Sequence, residues 1–303
     1  MISVVAPILD EEATLAPFYQ RVRSALEPLP FELVLVDDGS TDGTPDLLRA
    51  MASADPRVRV ITLSRNFGYQ AAVTAGLDHA EGDVVVTIDS DLQDPPELIL
   101  DMLERWRAGA DVVYGYREER PGETWVKLAT ARWFTKLFAW VAQIDLPHNV
   151  GDYRLLDRRA VDALLSMREH SRFMRGMAVW IGYTQTTVPY VRDARHAGET
   201  RYRWATLIRI SLDALTSYSR APLRLATVIG FLVSAVAFLA IPLVIIGRLV
   251  GVYVEGITSV LLAVLALGGI QLITLGIVGE YVARVYDEVK RRPLYLIRED
   301  QKE

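Results

Sequence analysis

The sequence predicts an α/β fold: a doubly wound domain around a mostly parallel sheet, followed by a C-terminal helical hairpin that spans a membrane. Three observations carry this expectation. Through the first 117 residues, short β-branched runs alternate with segments of helical period. Acidic residues collect where those runs end. Near the C-terminus, 23 residues (225–247) and then 24 residues (256–279) pass without a charge.

ISVVAP (2–7), FELVLVDDG (31–39), VRVITLS (58–64), DVVVTIDSD (83–91) and ADVVYGYR (110–117) read as strands. Their hydrophobicity is continuous enough for burial on both faces. Between them, residues 11–27, 44–54, 69–80 and 95–109 carry apolar residues at helical spacing, punctuated by Gly and Pro. Strand, helix and strand in repetition specify a doubly wound sheet, whose ligands bind at the carboxyl ends of the strands. Asp10, Asp37 with Asp38, and Asp89 with Asp91 lie at those ends.

Residues 116–215 are less regular. ETWVKLATARWFTKLFAWVAQ (123–143) reads as a basic amphipathic helix with Trp125, Trp133 and Trp140, suited to a membrane surface or to ordinary packing. From Arg192 to Arg224 there are seven arginines against three acids. The two charge-free stretches each extend roughly 35 Å as helices, against about 30 Å of bilayer hydrocarbon. The short link between them carries one arginine, whereas Arg220, Arg224, Arg284, Lys290, Arg291 and Arg292 lie outside the pair. The positive-inside bias therefore puts both ends in the cytoplasm. The expected organisation is a domain over 1–215, the hairpin over 216–286 and a mostly solvated cytoplasmic tail over 287–303. Gly268, Gly269 and Gly276 would let helices pack closely, in a homo-oligomer among other arrangements.

Composition narrows the function. A net charge of −5 is unlike that of a nucleic-acid binder, and the absence of cysteine excludes disulfides, thiolate nucleophiles and Cys-based zinc sites. Mean hydropathy is +0.19, high for a chain with 23% charged residues, which points to concentrated apolar segments. The N-terminus lacks a basic n-region and is not read as a signal peptide. No phosphate-loop or dinucleotide-binding glycine motif is present.

The chemistry centres on IDSDLQDPPE (88–97). Alternate residues of a strand share a face, so Asp89 and Asp91 can converge on one cation or its ligands, a solvated loop being the alternative for an Asp-x-Asp triplet taken alone. Carboxylates without Cys or His beside them favour Mg²⁺ or Mn²⁺, held by one or two carboxylates plus substrate phosphates. Gln93, Asp94, Pro95 and Pro96 then turn the chain into a helix. Asp37 and Asp38 form a second pair, while Ser40, Thr41 and Asp42 are accounted for by turn formation and capping.

VDDGSTDGT, LSRNFGYQAAVTAGLDHA, VVVTIDSDLQDPPE, GYR, NVGDYRLLDRRAVDAL and GETRYRW occur in the order found in family-2 glycosyltransferases of GT-A (Rossmann-like) fold. Over its whole length the chain resembles the polyprenyl-phosphate branch: bactoprenol (undecaprenyl-phosphate) glucosyltransferases and, more distantly, dolichol-phosphate mannose synthases. It departs from that family's pattern at Asp10, where the family usually has Asn. The resemblance implies a UDP-sugar donor, a Mg²⁺ or Mn²⁺ ion, a polyprenyl phosphate acceptor at the bilayer, and inversion at the anomeric carbon. Pro7, Asp37 and Asp38 would bind the nucleotide. Asp89 would approach ribose and metal, Asp91 would be the principal metal ligand, and Gln93 a further one. Asp152 would act beside the transferred sugar, and Arg117, Arg120, Lys127, Arg201 and Arg203 would hold phosphates of donor and acceptor. Arg154 has a simpler role open to it, pairing with Asp152, and Arg203 one of snorkelling at the bilayer.

Other readings have less support. A GDP-mannose-dependent synthase differs in donor alone. A processive polysaccharide synthase would carry Gln-x-x-Arg-Trp, but Ala129 and Thr200 stand where the Gln would be. A non-catalytic nucleotide-sugar sensor would have a broken acid set, whereas Asp37, Asp89, Asp91 and Asp152 are all present.

Overall fold

The computed structural model describes residues 1–118, 149–192, 221–250 and 257–301. Among the described residues, eight strands form one sheet: β1 (Ile2–Ile8), β2 (Phe31–Asp37), β3 (Val58–Leu63), β4 (Val84–Thr87), β5 (Val112–Arg117), β6 (Val150–Asp157), β7 (Gln185–Tyr190) and β8 (Ile297–Gln301). Their spatial order is β7-β5-β6-β4-β1-β2-β3-β8. The helices are α1 (Leu15–Leu26), α2 (Thr44–Ala54), α3 (Tyr69–His79), α4 (Leu98–Arg107), α5 (Arg158–Ser166), α6 (Met174–Trp180), α7 (Ala221–Leu249) and α8 (Ile257–Lys290). The chain divides into two compact units, one holding all eight strands with α1–α6 and the other holding α7 and α8.

The expected elements through residue 117 are present. β1 pairs in parallel with β2 and β4, and β2 with β3, as successive strand–helix–strand units require. Val4, Ala6 and Ile8 of β1 and Leu33 and Leu35 of β2 enter one core with Leu15, Phe18, Val22 and Leu26 of α1 and Ile99, Met102 and Leu103 of α4. Every one of these is at most 2% exposed, so truncating any of the large ones costs about 2–5 kcal/mol. Residues one step along, such as Val5 and Val34, are equally buried on the opposite face. α3 lies over β1 and β2.

Register collects the acids. Ile8 is level with Asp37 and Val5 with Thr87, so Asp10, Asp37 and Asp89 emerge at one end of adjacent parallel strands. The sheet is mixed beyond β4. β6 runs antiparallel between β4 and β5, which carries Asp152 and Arg154 to the same end, with Thr87 level with Arg154.

The last residues are mostly exposed, yet they also form a strand that the sequence does not announce. β8 pairs antiparallel with β3 at the sheet edge. Its sequence, IREDQ, has no strand pattern, but Arg59 on β3 holds Asp300 through two bonds, Nε–Oδ1 at 3.0 Å and Nη2–Oδ2 at 2.7 Å. Ahead of it, Tyr295 donates to Asp78 (2.7 Å) and stacks edge-on with His79. Among the described residues, 266–290 within α8 is long and apolar enough to cross a membrane, and 223–236 within α7 is a shorter apolar stretch. The amphipathic segment 123–143 lies outside the described residues.

Asp300→Ala should release β8 at a cost of about 1 kcal/mol, since a partly exposed bidentate pair contributes modestly. Limited proteolysis should then cut beyond α8 faster than in the parent, with the urea midpoint little changed.

Candidate active site

At the carboxyl end of the sheet, the loop after β1 and the loop after β2 are tied together by Asp10. Its backbone is left-handed (φ 53°), a conformation Asp and Asn tolerate better than most residues. Its Oδ1 accepts from the Thr41 N–H (2.8 Å), while its own N–H donates to Ser40 Oγ (3.0 Å). An Asn oxygen could accept in the same way, so Asp in this position keeps the loop link.

Asp37, the last residue of β2, and Asp38 just beyond it are both buried and bond to different partners. Asp37 accepts from the Ser40 N–H at 2.9 Å. Asp38 accepts from the N–H groups of Phe67 (2.7 Å) and Gly68 (2.9 Å), holding the start of α3. Burial raises the Asp38 pKa above its ordinary value, against the pull of those two N–H groups. Gly39 must be glycine here: its φ is 79°, and a Cβ would stand 2.8 Å from the Asn66 nitrogen.

Beyond β4 the chain passes Asp89, Ser90 and Asp91, then Leu92, a buried leucine with φ 60°. A bulky residue held left-handed marks a turn over-determined by its surroundings. Asp91 Oδ1 accepts from the Gln93 N–H (3.1 Å), closing that turn. Asp89 accepts from the Tyr69 hydroxyl at 2.8 Å. No described basic side chain pairs with Asp89. Burial first, then the charges of Asp152, Asp94 and Asp91, push its pKa up to about 6. Tyr69 is raised well above its ordinary value by the same burial and so remains a donor.

Such a carboxylate fits a cation. Among the described residues no three His, Asp or Glu side chains converge as a cage. Asp89 and Asp91 offer a pair instead, the donor set of a hard ion that takes its remaining ligands from water and substrate oxygens.

Asp152, on β6, is the opposite case. Arg154 Nη2 meets its Oδ1 at 2.7 Å, and Arg175 on α6 adds Nε–Oδ1 at 3.2 Å and Nη2–Oδ2 at 2.7 Å. Burial would raise the Asp152 pKa, but the Arg175 and Arg154 charges outweigh it and hold the carboxyl below its ordinary value. Arg154 is buried and also donates to the Met174 carbonyl, whereas the Arg175 side chain is 38% exposed. A narrow pocket lies beside this carboxylate, walled by Tyr69, Thr87, Asp152 and Arg154 with Val73, Leu156 and Met174.

A third cluster was not legible in the sequence. Asp94 is fully buried; its Oδ1 accepts from the Tyr190 hydroxyl (2.5 Å) and Arg192 Nε (3.2 Å), and Arg117 Nη2 lies 3.5 Å from its Oδ2. Arg192 Nη2 also lies 3.8 Å from Asp91 Oδ2. Arg117 lies flat against Gly151, where a Cβ would come 2.3 Å from its Nη2. Of the expected site residues, Pro7, Asp37, Asp89, Asp91, Gln93, Arg117 and Asp152 stand at the sheet's carboxyl end, with Asp38 turned toward α3. Arg120, Lys127, Arg201 and Arg203 lie outside the described residues.

Residues 3–165 match the model of glycosyl transferase family 2. The chain belongs to that family. It is 42% identical over 99% of its length to the SfII prophage-derived bactoprenol glucosyl transferase of Shigella flexneri, covering 98% of that protein. It is 43% identical over 97% of its length to the glycosyltransferase YkcC of Bacillus subtilis (strain 168), covering 92% of it. Among solved structures it is similar to the glucosyl-3-phosphoglycerate synthase of Mycobacterium tuberculosis in complex with Mn²⁺, UDP and phosphoglyceric acid. That likeness has a TM-score of 0.51 and 25% identity, and covers 71% of this chain and 76% of the other. The protein is thus a family-2 glycosyltransferase of GT-A-like α/β fold.

The two central carboxylates should respond oppositely to neutralisation. A folded pKa raised to about 6 means that Asp89 binds its proton more tightly in the folded state, so folding loses stability as pH rises from about 4 through 6. Asp89→Asn should therefore stabilise the protein at pH 7.5, by on the order of 1–3 kcal/mol, with the gain vanishing below pH 4. Asp152 is depressed and contributes stability above the unfolded value, lost as pH falls through its folded pKa. Asp152→Asn should lower stability at pH 7.5, leaving guanidiniums unpaired. Thermal melts in EDTA across pH read both.

Proposed function

We propose that this glycosyltransferase transfers a sugar, glucose first among the candidates, from a UDP-sugar to undecaprenyl or another polyprenyl phosphate, with inversion. The observation that carries this is the opposed electrostatics of Asp89 and Asp152 at one strand end: one carboxylate fits a cation, the other is already neutralised by arginines. The similarity to a bactoprenol glucosyl transferase along nearly the full chain supports the lipid acceptor. The similarity to a synthase bound to Mn²⁺ and UDP supports the donor and the metal.

In this reading Pro7 and Asp37 line the base pocket, with Asp38 holding the loop to α3 that borders it. Asp89, Asp91 and Gln93 would hold Mg²⁺ or Mn²⁺, which would supply positive charge to the donor diphosphate. Arg117, with Arg120, Lys127, Arg201 and Arg203, takes the phosphates; the planar fork of arginine suits them. The acceptor phosphate has a second pKa near 6 and arrives largely ionised. Asp152, kept ionised by Arg175 and Arg154, then orients sugar and acceptor and offsets positive charge developing at the anomeric carbon.

The lipid acceptor requires a bilayer. α8 has 34 residues, about 51 Å of helix, and presents Leu272, Ile273, Leu275 and Val278 outward. β8 belongs to the same sheet as β1–β7, so the chain leaves that unit before α7 and returns to it after α8. Such a return supports an even number of crossings. We therefore read residues 216–286 as a hairpin of two spans, about 225–247 and 256–279, with both termini cytoplasmic.

Purified protein in detergent, given undecaprenyl phosphate, Mg²⁺ or Mn²⁺ and a panel of UDP- and GDP-sugars, should yield one polyprenyl monophosphosugar by mass spectrometry. Asp91→Ala should lose turnover by at least about a thousandfold while remaining folded. A near-normal rate would remove the metal assignment. The parent has no cysteine, so topology can be read cleanly: in intact cells, Tyr253→Cys should react with an impermeant maleimide and Gln301→Cys should not.

A further inference from the structure

We propose that Arg192 couples cation and nucleotide binding, opposing a divalent ion at Asp91 until a diphosphate lies between the two positive charges. This rests on the metal-dependent reading above and deepens it.

The geometry points to a fixed charge. Arg192 Nε is bonded to Asp94 Oδ1 at 3.2 Å, and Asp94 is fully buried. Tyr190 donates to the same oxygen, and the Tyr190 hydroxyl in turn accepts from Arg117 Nε at 3.0 Å. Asp94 thus anchors two guanidiniums from behind. From that anchor Arg192 reaches past Asp94 to lie 3.8 Å from Asp91 Oδ2. A cation held at Asp91 would lie within a few ångströms of this guanidinium, which stands 3.8 Å from Oδ2.

Two consequences follow from Coulomb's law at this range. The guanidinium weakens the hold of Asp91 on a cation by itself. When a nucleoside diphosphate is present, its oxygens are attracted by both charges, and the repulsion between these is offset by the negative charge between them. Cation and nucleotide then strengthen each other, and by linkage each does so equally. Asp91 supplies the ligand, and Arg192 makes its occupancy conditional on the donor.

The test is Mn²⁺ binding, followed by electron paramagnetic resonance at pH 7.5 with and without UDP, on full-length protein in detergent. For the parent, UDP should strengthen Mn²⁺ binding. Arg192→Gln should tighten Mn²⁺ alone by about tenfold and cut the UDP-induced gain by about tenfold. Arg192→Lys, which keeps the charge, should retain most of the gain. A Gln variant with unchanged Mn²⁺ affinity and an unchanged UDP gain overturns the inference. So does one that binds Mn²⁺ alone more weakly, because Arg192 then only orients Asp91. A matched thermal transition excludes misfolding as the cause. Failure of the parent to bind Mn²⁺ under either condition would instead overturn the metal reading, and this inference with it.

Discussion

Parallel strands of matched register deliver their carboxyl ends to one line, and here that line is acidic. β1, β2 and β4 bring Asp10, Asp37, Asp38, Asp89 and Asp91 together, and β6 adds Asp152. Carboxylates gathered in this way repel one another and lose hydration as well, so each needs a specific partner. Much of the surrounding structure supplies those partners. Asp10 takes a backbone N–H from the neighbouring loop, Asp38 takes two from the start of α3, and Asp152 takes two guanidiniums. Asp89 has a phenol and no described cation, and is the place where the balance is left incomplete.

How far this was legible depended on whether the information was local. β1–β5 and α1–α4 follow from hydrophobic period, because each is buried in the manner its pattern implies. β6 was hidden in a stretch recognised by motif only; its position between β4 and β5 depends on pairing with strands that lie far away in sequence. β8 carries no apolar alternation, and forms because β3 offers an open edge with Arg59 facing Asp300. The membrane segments were read from charge-free length, and of these the stretch within α8 meets the length and apolarity of a span among the described residues.

At the site, the acids were legible, and so was one counter-charge: Arg154, two residues along the same strand, pairs with Asp152 as its position suggested, whereas Arg175 and Arg192 were not legible. The pair Asp37 and Asp38 looked alike in sequence, although they bond to different partners. Asp94 sat in a turn that Pro95 and Pro96 explained sufficiently, so nothing marked it as fully buried. Arg175 and Arg192 belong to no motif quoted from the sequence. They reach the acids from α6 and from just beyond β7, about 20 and 100 residues distant in the chain. A reader of sequence can find a cluster of charge by its pattern on neighbouring strands, but its neutralisation is a tertiary property.

That distribution of charge bears on the chemistry. A glycosyl acceptor bearing a hydroxyl needs a base with a pKa near the working pH. Asp152 is poorly suited, since Arg175 and Arg154 hold its pKa low. Asp89, pushed up to about 6, is the carboxylate with a base-like pKa, yet it is also the one whose environment calls for a cation. A divalent ion there would favour its ionised form and remove that basicity. Under the proposed reaction neither Asp89 nor Asp152 is a strong base once the site is loaded, and none is required by an acceptor that arrives as a phosphate dianion. The arginines that depress Asp152 and the cation site that would claim Asp89 lead to the same requirement: a nucleophile already ionised when it enters.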